Sequence, residues 1–535
     1  MNKHLLYIGL IALCSHAAIA QTSPFQIHLE SIEVPELGGL QSYAFGQANG
    51  KWLIVGGRLD GLHRRQPFAA FDVAGNNNQL IVVDPVAQLK WSAPLTSLDE
   101  GLQEQLSSTN MEFYQEGNML YLIGGYGFNN ATQSRKTFDY FTAIEVSQTI
   151  ESIIGGADFS SFFRFINDPL FAVTGGHLEK IESTYYLIGG NKFDGNYNPM
   201  GNPTYTQVYT DAIRKMIVMD DGDNLDVEFL PSIADAAAFH RRDYNAVPQI
   251  LPNGDEGITV FSGVFQPDVN LPFLNAVVID GAGYTIQPDF LQYYNHYHCA
   301  VLPLYDEENN EMHNVFFGGI AQYYDDNGVL VQDNNIPFVR TIARVTRTAD
   351  GAMAEYKLPI EMPGLLGAGS EFIPISAVPH FSNGVIQLDQ LIGDSIHVGY
   401  IYGGISSTAA NIFFSNTGTQ SSASSQIFKV YVVLNSNSGT HHLNSFSNDE
   451  MQLRVFPNPN DGLFSVRFQL SAPMDVRFRV YDSSGREIDN FLLRNTVVGE
   501  NRFERSIKEL SYGGAYLLKV ETDYNMLTQR IIVVR

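Results

Sequence analysis

The strongest constraint on the fold is a repeated ending, Tyr121-Leu122-Ile123-Gly124-Gly125, in which a short apolar run closes on a glycine pair. The same ending returns at 53–57, 185–190, 260–263, 315–319 and 400–404, with Ser262-Gly263 as its one degraded copy. Copies roughly 55 to 85 residues apart suit a radial array of small sheets with loops of variable length. Each run is too short to bury its faces alone, so the units must stack on one another.

Beyond each glycine pair the pattern continues with a polar loop, a third strand such as 80–84, a turn, and an outer strand such as 88–91. Third and fourth strands are predicted again at 216–220 with 226–230, at 276–280 with 284–288 and at 342–346 with 354–358, and a third strand at 142–146. In the sixth unit, 398–402 and 428–434 are strands, but only polar residues follow. The missing outer strand is predicted ahead of the first unit, at 25–35. Lending it to the last unit closes the ring and leaves no exposed sheet edge. The expectation is an all-β chain, with a six-bladed β-propeller over 21–437, a linker over 438–452 and a small β-sandwich over 453–535. The glycine pairs, the downstream Asp84 and Trp91, and the four-strand unit resemble kelch-type β-propellers. Trp52 and Trp91 are the only tryptophans, so this sequence departs from the kelch pattern at its other Trp positions.

Composition agrees with strands and turns: 35 Phe, 27 Tyr and 47 Gly, with only 17% charged residues. A formal charge of −25 argues against nucleic acid, whose phosphates need a basic footprint. Lys3 and His4, the apolar run 5–13 and Ala18-Ile19-Ala20 read as a signal peptide over 1–20, with Gln21 opening the mature chain. Cys299 is then the one remaining cysteine, which precludes an intramolecular disulfide. No other apolar run is long enough to cross a bilayer.

The last eighty-odd residues carry Pro457-Asn458-Pro459, a turn ending in Gly485-Arg486, strictly alternating strands, and Leu510-x-x-Gly513-Gly514-x-Tyr516. This set resembles the type A C-terminal sorting domain of the type IX secretion system of Bacteroidota. The resemblance implies the secretion machinery and its sortase as partners, and a destination on the outer cell surface or in the medium.

Basic residues are scarce, yet they gather in the predicted mouth loops as Arg58, Arg64, Arg65, Arg135, His240, Arg241 and Arg242. They read either as donors for an anion or a sugar acid, or as partners of the many nearby carboxylates. In Tyr294-Asn295-His296-Tyr297-His298-Cys299, strand alternation would put His296 and His298 on one face and Cys299 on the other. The residue types resemble those of copper-radical oxidases, which also use a kelch propeller, but the split faces spoil a three-ligand site. Core or channel-lining histidines are expected, and no metal or other cofactor. Asp220-Asp221-Gly222-Asp223 and Asp325-Asp326-Asn327-Gly328 read as turns rather than calcium loops. Neither a sialidase-type Asp box nor a Gly-x-Ser-x-Gly nucleophile elbow is present.

Two functions follow. The first is an exported binding module for an extracellular carbohydrate, peptide or protein, needing no catalysis. The second is an exported sugar-active enzyme resembling the six-bladed sialic acid mutarotases. Convergence of His240, Arg242, His296 and Arg58 on one cavity with perturbed carboxylates would favour the enzyme. The same side chains splayed and paired would favour the binder.

Overall fold

The computed structural model describes residues 23–534 apart from 67, 201–203, 435–452, 471–475, 483–485, 495, 498, 508–513 and 522–525. The signal peptide at 1–20, the whole linker at 438–452, and the motif residues Gly485 and Gly513 therefore lie outside the described residues. The chain is all-β in character and divides into two compact units, Met1–Ser436 and Asn437–Arg535.

In the first unit, six sheets follow one another along the chain, antiparallel except where Ile386–Gln387 lies parallel to Val301–Asp306. The first is built from Ala44–Ala48, Lys51–Val55, Gln79–Asp84 and Leu89–Pro94, neighbouring in that order. Four more repeat this meander, from the sheet beginning at Glu112–Glu116 to the one beginning at Val301–Asp306. In the sixth, Leu365–Pro374, Ser395–Ser407 and Ile427–Leu434 are completed by Phe25–Ile32 from the start of the chain. Phe25 pairs with Leu434 and Ile32 with Ile427, an unbroken antiparallel register. Phe25 and Ile27 are buried in the apolar core between the fifth and sixth sheets, so the first strand is held by side chains as well as by its ladder.

The repeated glycines stand where adjacent sheets meet. Gly56, Gly124, Gly189, Gly318 and Gly403 all have positive φ, which L-residues with a Cβ disfavour. A Cβ on Gly124 would lie 1.9 Å from the carbonyl oxygen of Val173, and one on Gly403 2.3 Å from that of Leu40. The second glycine of the pair then donates its N–H to the neighbouring unit. Gly57 bonds Ser108 at 2.8 Å, Gly125 bonds Val173 at 2.9 Å, Gly190 bonds Arg241 at 2.7 Å, Gly263 bonds His296 at 3.1 Å and Gly404 bonds Leu40 at 2.8 Å. The motif is a backbone docking device, and side chains are excluded from it because a carbonyl of the next unit occupies the space.

Six residues, five just ahead of the first strand of a sheet and Gly369 within Leu365–Pro374, are joined in a cycle of backbone hydrogen bonds. Asn110 donates to Ser42 (3.2 Å), Gly175 to Asn110 (3.3 Å), Asp243 to Gly175 (2.8 Å) and His298 to Asp243 (2.9 Å). Gly369 donates to His298 (2.9 Å), and Ser42 donates to Gly369 (2.8 Å), which returns the cycle to its start.

Two departures from the sequence reading have simple causes. The predicted strand 142–146 is Tyr140–Glu145, and a helix, Val146–Gly155, follows it directly. Val146, Ile150 and Ile153 bury one face of that helix against the first sheet, and Gly156 caps it in the left-handed conformation. Several predicted loops are hairpins, such as Tyr126–Asn129 with Ser134–Thr137 and Asn191–Asn196 with Thr204–Tyr209. The turn Asn327-Gly328, with φ of 53° and 86°, joins Tyr323–Asp326 to Val329–Gln332 in the manner of a tight hairpin. Asp325 accepts the N–H of Gly328 at 3.2 Å and pairs with Lys357 at 3.0 Å.

In the second unit, a three-stranded and a four-stranded antiparallel sheet share one apolar core that includes Phe464, Phe468, Phe478 and Val520. Asn458 of the Pro-Asn-Pro motif accepts the N–H of Ile532 at 2.8 Å and donates to the carbonyl of Arg530 at 2.8 Å. Asn460 is paired with Ile532 and Val534 through its backbone. The motif therefore clasps the last strand, Met526–Val533, while Pro457 and Pro459 follow cis peptide bonds.

Candidate functional site

Ser42, Asn110, Gly175, Asp243 and His298 each line two cavities, one on either side of the hydrogen-bonded ring. The ring is a waist between them. With glycine at Gly175 and Gly369 and short side chains at Ser42 and Asn110, the waist is left uncrowded.

The first cavity, ≈ 660 Å³, is walled by the long loops and hairpins between second and third strands. Aromatic rings dominate its wall. Phe193 stacks on Tyr205 with centroids 4.5 Å apart, and Tyr197 lies nearly parallel to Tyr205 at 6.3 Å. His63 stacks on Phe71 at 4.9 Å and meets Tyr197 edge-on at 4.5 Å. Burial lowers the His63 imidazole to about 4, so at neutral pH it acts as one more uncharged ring. Between the rings the wall presents amides, among them Gln41, Asn110, Asn191, Gln207, Asn270 and Asn334. Phe68 and Phe414, 90% and 64% exposed, lie in the same group of loops as the walls of this cavity.

The basic residues singled out in the sequence are placed one by one. Arg58 is buried at 2% exposure and grips both oxygens of Asp60, the Asn76 side chain at 2.7 Å and the Asp72 carbonyl at 3.0 Å. Arg135 bonds the Phe71 carbonyl and the Asn196 side chain. Arg241 is 1% exposed, with its guanidinium 4.0 Å over Phe273 and its donors on Ala238, Ser262 and Asn275. Burial lowers it to about 9. That guanidinium sits beside the one degraded glycine pair, binding the carbonyl of Ser262. Arg242 lines the cavity but is paired with Asp243, which outweighs the burial opposing its charge. Arg64 is exposed, and Arg65 lies over Phe414 at 4.7 Å; neither lines the cavity. His240 stacks on Tyr209 at 3.8 Å and bonds Asp211 at 2.6 Å, also away from the cavity wall.

The histidine segment is not a strand, so the expected alternation does not operate there. His296 is wholly buried: its Nδ1 accepts the N–H of Gln322 at 3.0 Å, and its Nε2 lies 2.9 Å from the carbonyl of Gln292. Both ring nitrogens are thus used by backbone, and burial lowers the ring to about 4, leaving no nitrogen for a metal. Burial pushes the Cys299 thiol up to about 12. His298 alone of the three faces the waist, with Nε2 2.8 Å from Glu371. Burial opposes its charge, but Glu371 overcomes this and raises its pKa. Among the described residues no three His, Cys, Asp or Glu side chains are placed to hold a metal ion.

The second cavity, ≈ 540 Å³, was not foreseen. Two residues beyond four of the six ring positions, alternation returns a side chain to the same side, placing Glu112, His177, Asn245 and Glu371 in its wall. Burial raises Glu112 to about 8 and Glu179 to about 8, and lowers His177 to about 3. The recurring spacing of the first strands was the available signal, but the position is held by alanine, glutamate, histidine or asparagine from unit to unit.

Residues 454–534 match the secretion system C-terminal sorting domain family. No curated protein matches the chain in sequence. Among solved structures, similarity extends to a RAG complex with one melted and one unmelted RSS, at 10% identity, 76% of this chain, 99% of that chain and a TM-score of 0.36. A glycoside hydrolase family 43 arabinoxylan arabinofuranohydrolase from Bacillus subtilis is similar at 11% identity, 94% and 95% coverage and a TM-score of 0.29. An exo-1,5-alpha-L-arabinanase from a bovine ruminal metagenomic library is similar at 8% identity, 74% and 97% coverage and a TM-score of 0.26. The C-terminal match, on residues that the Pro-Asn-Pro clasp and the two-sheet core already distinguish, makes the chain a cargo of the type IX secretion system of Bacteroidota, exported to the cell surface or secreted.

Proposed function

We propose that residues 25–434 form a six-bladed, kelch-like β-propeller displayed outside the cell, and that its first cavity binds a neutral carbohydrate. The closed cycle of ring hydrogen bonds and the completion of the sixth sheet by Phe25–Ile32 support the propeller. The observation that carries the binding role is the pairing of stacked aromatic rings with side-chain amides around ≈ 660 Å³. A sugar ring offers apolar C–H faces to aromatic surfaces and paired hydroxyls to amides, and this wall supplies both.

Charge selects a neutral ligand. Arg58, Arg135, Arg241 and Arg242 spend their donors on protein groups, so the sugar-acid reading loses the free guanidinium it requires. Only Arg58 and Arg242 of the four discriminating residues line the first cavity, and all four are paired. That arrangement favours the binder over an isomerase. A glycan array probed with the full chain tests the proposal, together with Tyr197→Ala and Gln207→Ala. Neutral oligosaccharides should be retained by the parent protein and weakened at least tenfold in each variant, about 1.4 kcal/mol per decade. Retention of anionic glycans alone, or neutral binding unmoved by both variants, would refute it.

A further inference from the structure

Across the waist, the second cavity has the opposite electrical character. Its wall holds the carboxyl groups of Glu112, Glu179, Asp243 and Glu371, and neither lysine nor arginine. Two of these have counter-charges, since Asp243 is paired with Arg242 and Glu371 with His298 at 2.8 Å. Glu112 is only 2% exposed, and its Oε1 accepts the N–H of Gly176 at 2.7 Å. Its Oε2 is buried in the cavity wall, and among the described residues no hydrogen-bond donor reaches it. An unpaired buried carboxyl oxygen is costly, and it persists in folded proteins where a ligand or a proton supplies the missing partner.

We propose that this cavity binds an ammonium-bearing ligand, with Glu112 and Glu179 as its counter-charges. An ammonium offers three donors and a positive charge, matching the carboxyl acceptors of this wall. The same wall carries Phe45, Phe113, Tyr114 and Phe372, with Phe45 and Phe113 in edge contact at 5.3 Å, so the ligand has an apolar stem behind its charge. An organic cation fits better than a metal ion, because no three His, Cys, Asp or Glu among the described residues are placed to coordinate one. Glu112 faces Asp243, Arg214 and the N–H of Gly176, whereas Glu179 is shifted by burial alone. Both carboxyls hold their protons near pH 7 until a cation arrives, so binding should expel protons to the solvent.

The test is calorimetric titration of the full chain with cadaverine, with Nα-acetyl-lysine methylamide, with 1-pentanol and with calcium chloride, in two buffers of different ionisation enthalpy. Cadaverine binding with net proton release is expected, tightening between pH 6 and pH 9, with 1-pentanol silent. Binding by the lysine derivative as well points to peptide side chains as the source of the ammonium; binding by cadaverine alone points to free amines. Glu112→Gln and Glu179→Gln should each weaken binding by roughly tenfold or more, while neutral glycans still bind the other cavity. Should Glu112→Gln fail to fold, Glu179→Gln and the proton release of the parent protein carry the test. Absence of heat with both amines, unchanged affinity in the variants, or calcium binding as tightly as cadaverine would overturn the proposal.

Discussion

Alanine placed at two glycines separates backbone strain from docking. Gly117 and Gly124 both have left-handed φ, 56° and 66°, but a Cβ at Gly117 meets nothing within 4 Å whereas one at Gly124 would lie 1.9 Å from the Val173 carbonyl. Gly117→Ala should therefore cost only the left-handed penalty of about 1–2 kcal/mol. Gly124→Ala adds the displacement of a backbone carbonyl in a packed interface, about 1–3 kcal/mol. It also endangers the 2.9 Å bond from Gly125 to Val173, worth a further 0.5–1.5 kcal/mol or so. The two variants should thus differ by about 1.5–4.5 kcal/mol. Urea titrations followed by fluorescence of the buried Trp52 measure it directly. Equal midpoints would refute the claim that the glycine pair exists to let neighbouring sheets dock. Ser262 is the natural control, since it holds φ of 52° with a side chain bonded to the Phe273 carbonyl at 2.7 Å.

Phe25→Ala should cost about 3–5 kcal/mol, because the ring is 1% exposed and packs edge-on against His313 at 5.5 Å; Phe68→Ala, at 90% exposure, should leave the urea midpoint unmoved. Glu112 has a folded-state pKa of about 8 against an ordinary 4.5, so between these values the folded chain keeps a proton the unfolded chain loses, and stability falls as pH rises through that window. Glu112→Gln should flatten this slope in melting curves taken from pH 5 to pH 9, and an unchanged slope would count against the assignment. Removing 453–535 should strand the protein in the periplasm, and its arrival at the surface regardless would overturn the sorting role.

The parts of the fold that could be read from sequence are those where backbone sterics dictate residue type. Glycine pairs are forced by a neighbour's carbonyl, and the orphan strand Phe25–Ile32 was recognisable because the last unit had no outer strand of its own. The helix Val146–Gly155 escaped notice because its Val146, Ile150, Ile153 stripe is one short face inside a chain of strands. The candidate sites were harder. The clustering of scarce arginines drew attention to the mouth loops, but folding consumes most of those guanidinium donors on carbonyls and on Asp60, Asn76, Asn196 and Asp243. The stacked Phe193, Tyr197 and Tyr205 come together only because a hairpin folds over the ring, and no local spacing announces it. Nothing local marks Glu112, whose burial comes in a wall shared with strands far away in the sequence.

A co-crystal of the full chain with the tightest neutral oligosaccharide from the array tests the binding assignment most directly. The account predicts a sugar ring against Phe193, Tyr197 and Tyr205, with hydroxyls on Gln207 or Asn110, on the aromatic side of the Ser42–Asn110–Gly175–Asp243–His298–Gly369 ring. Sugar found on the outer sheet edges, or in the acidic cavity beside Glu112, would contradict it.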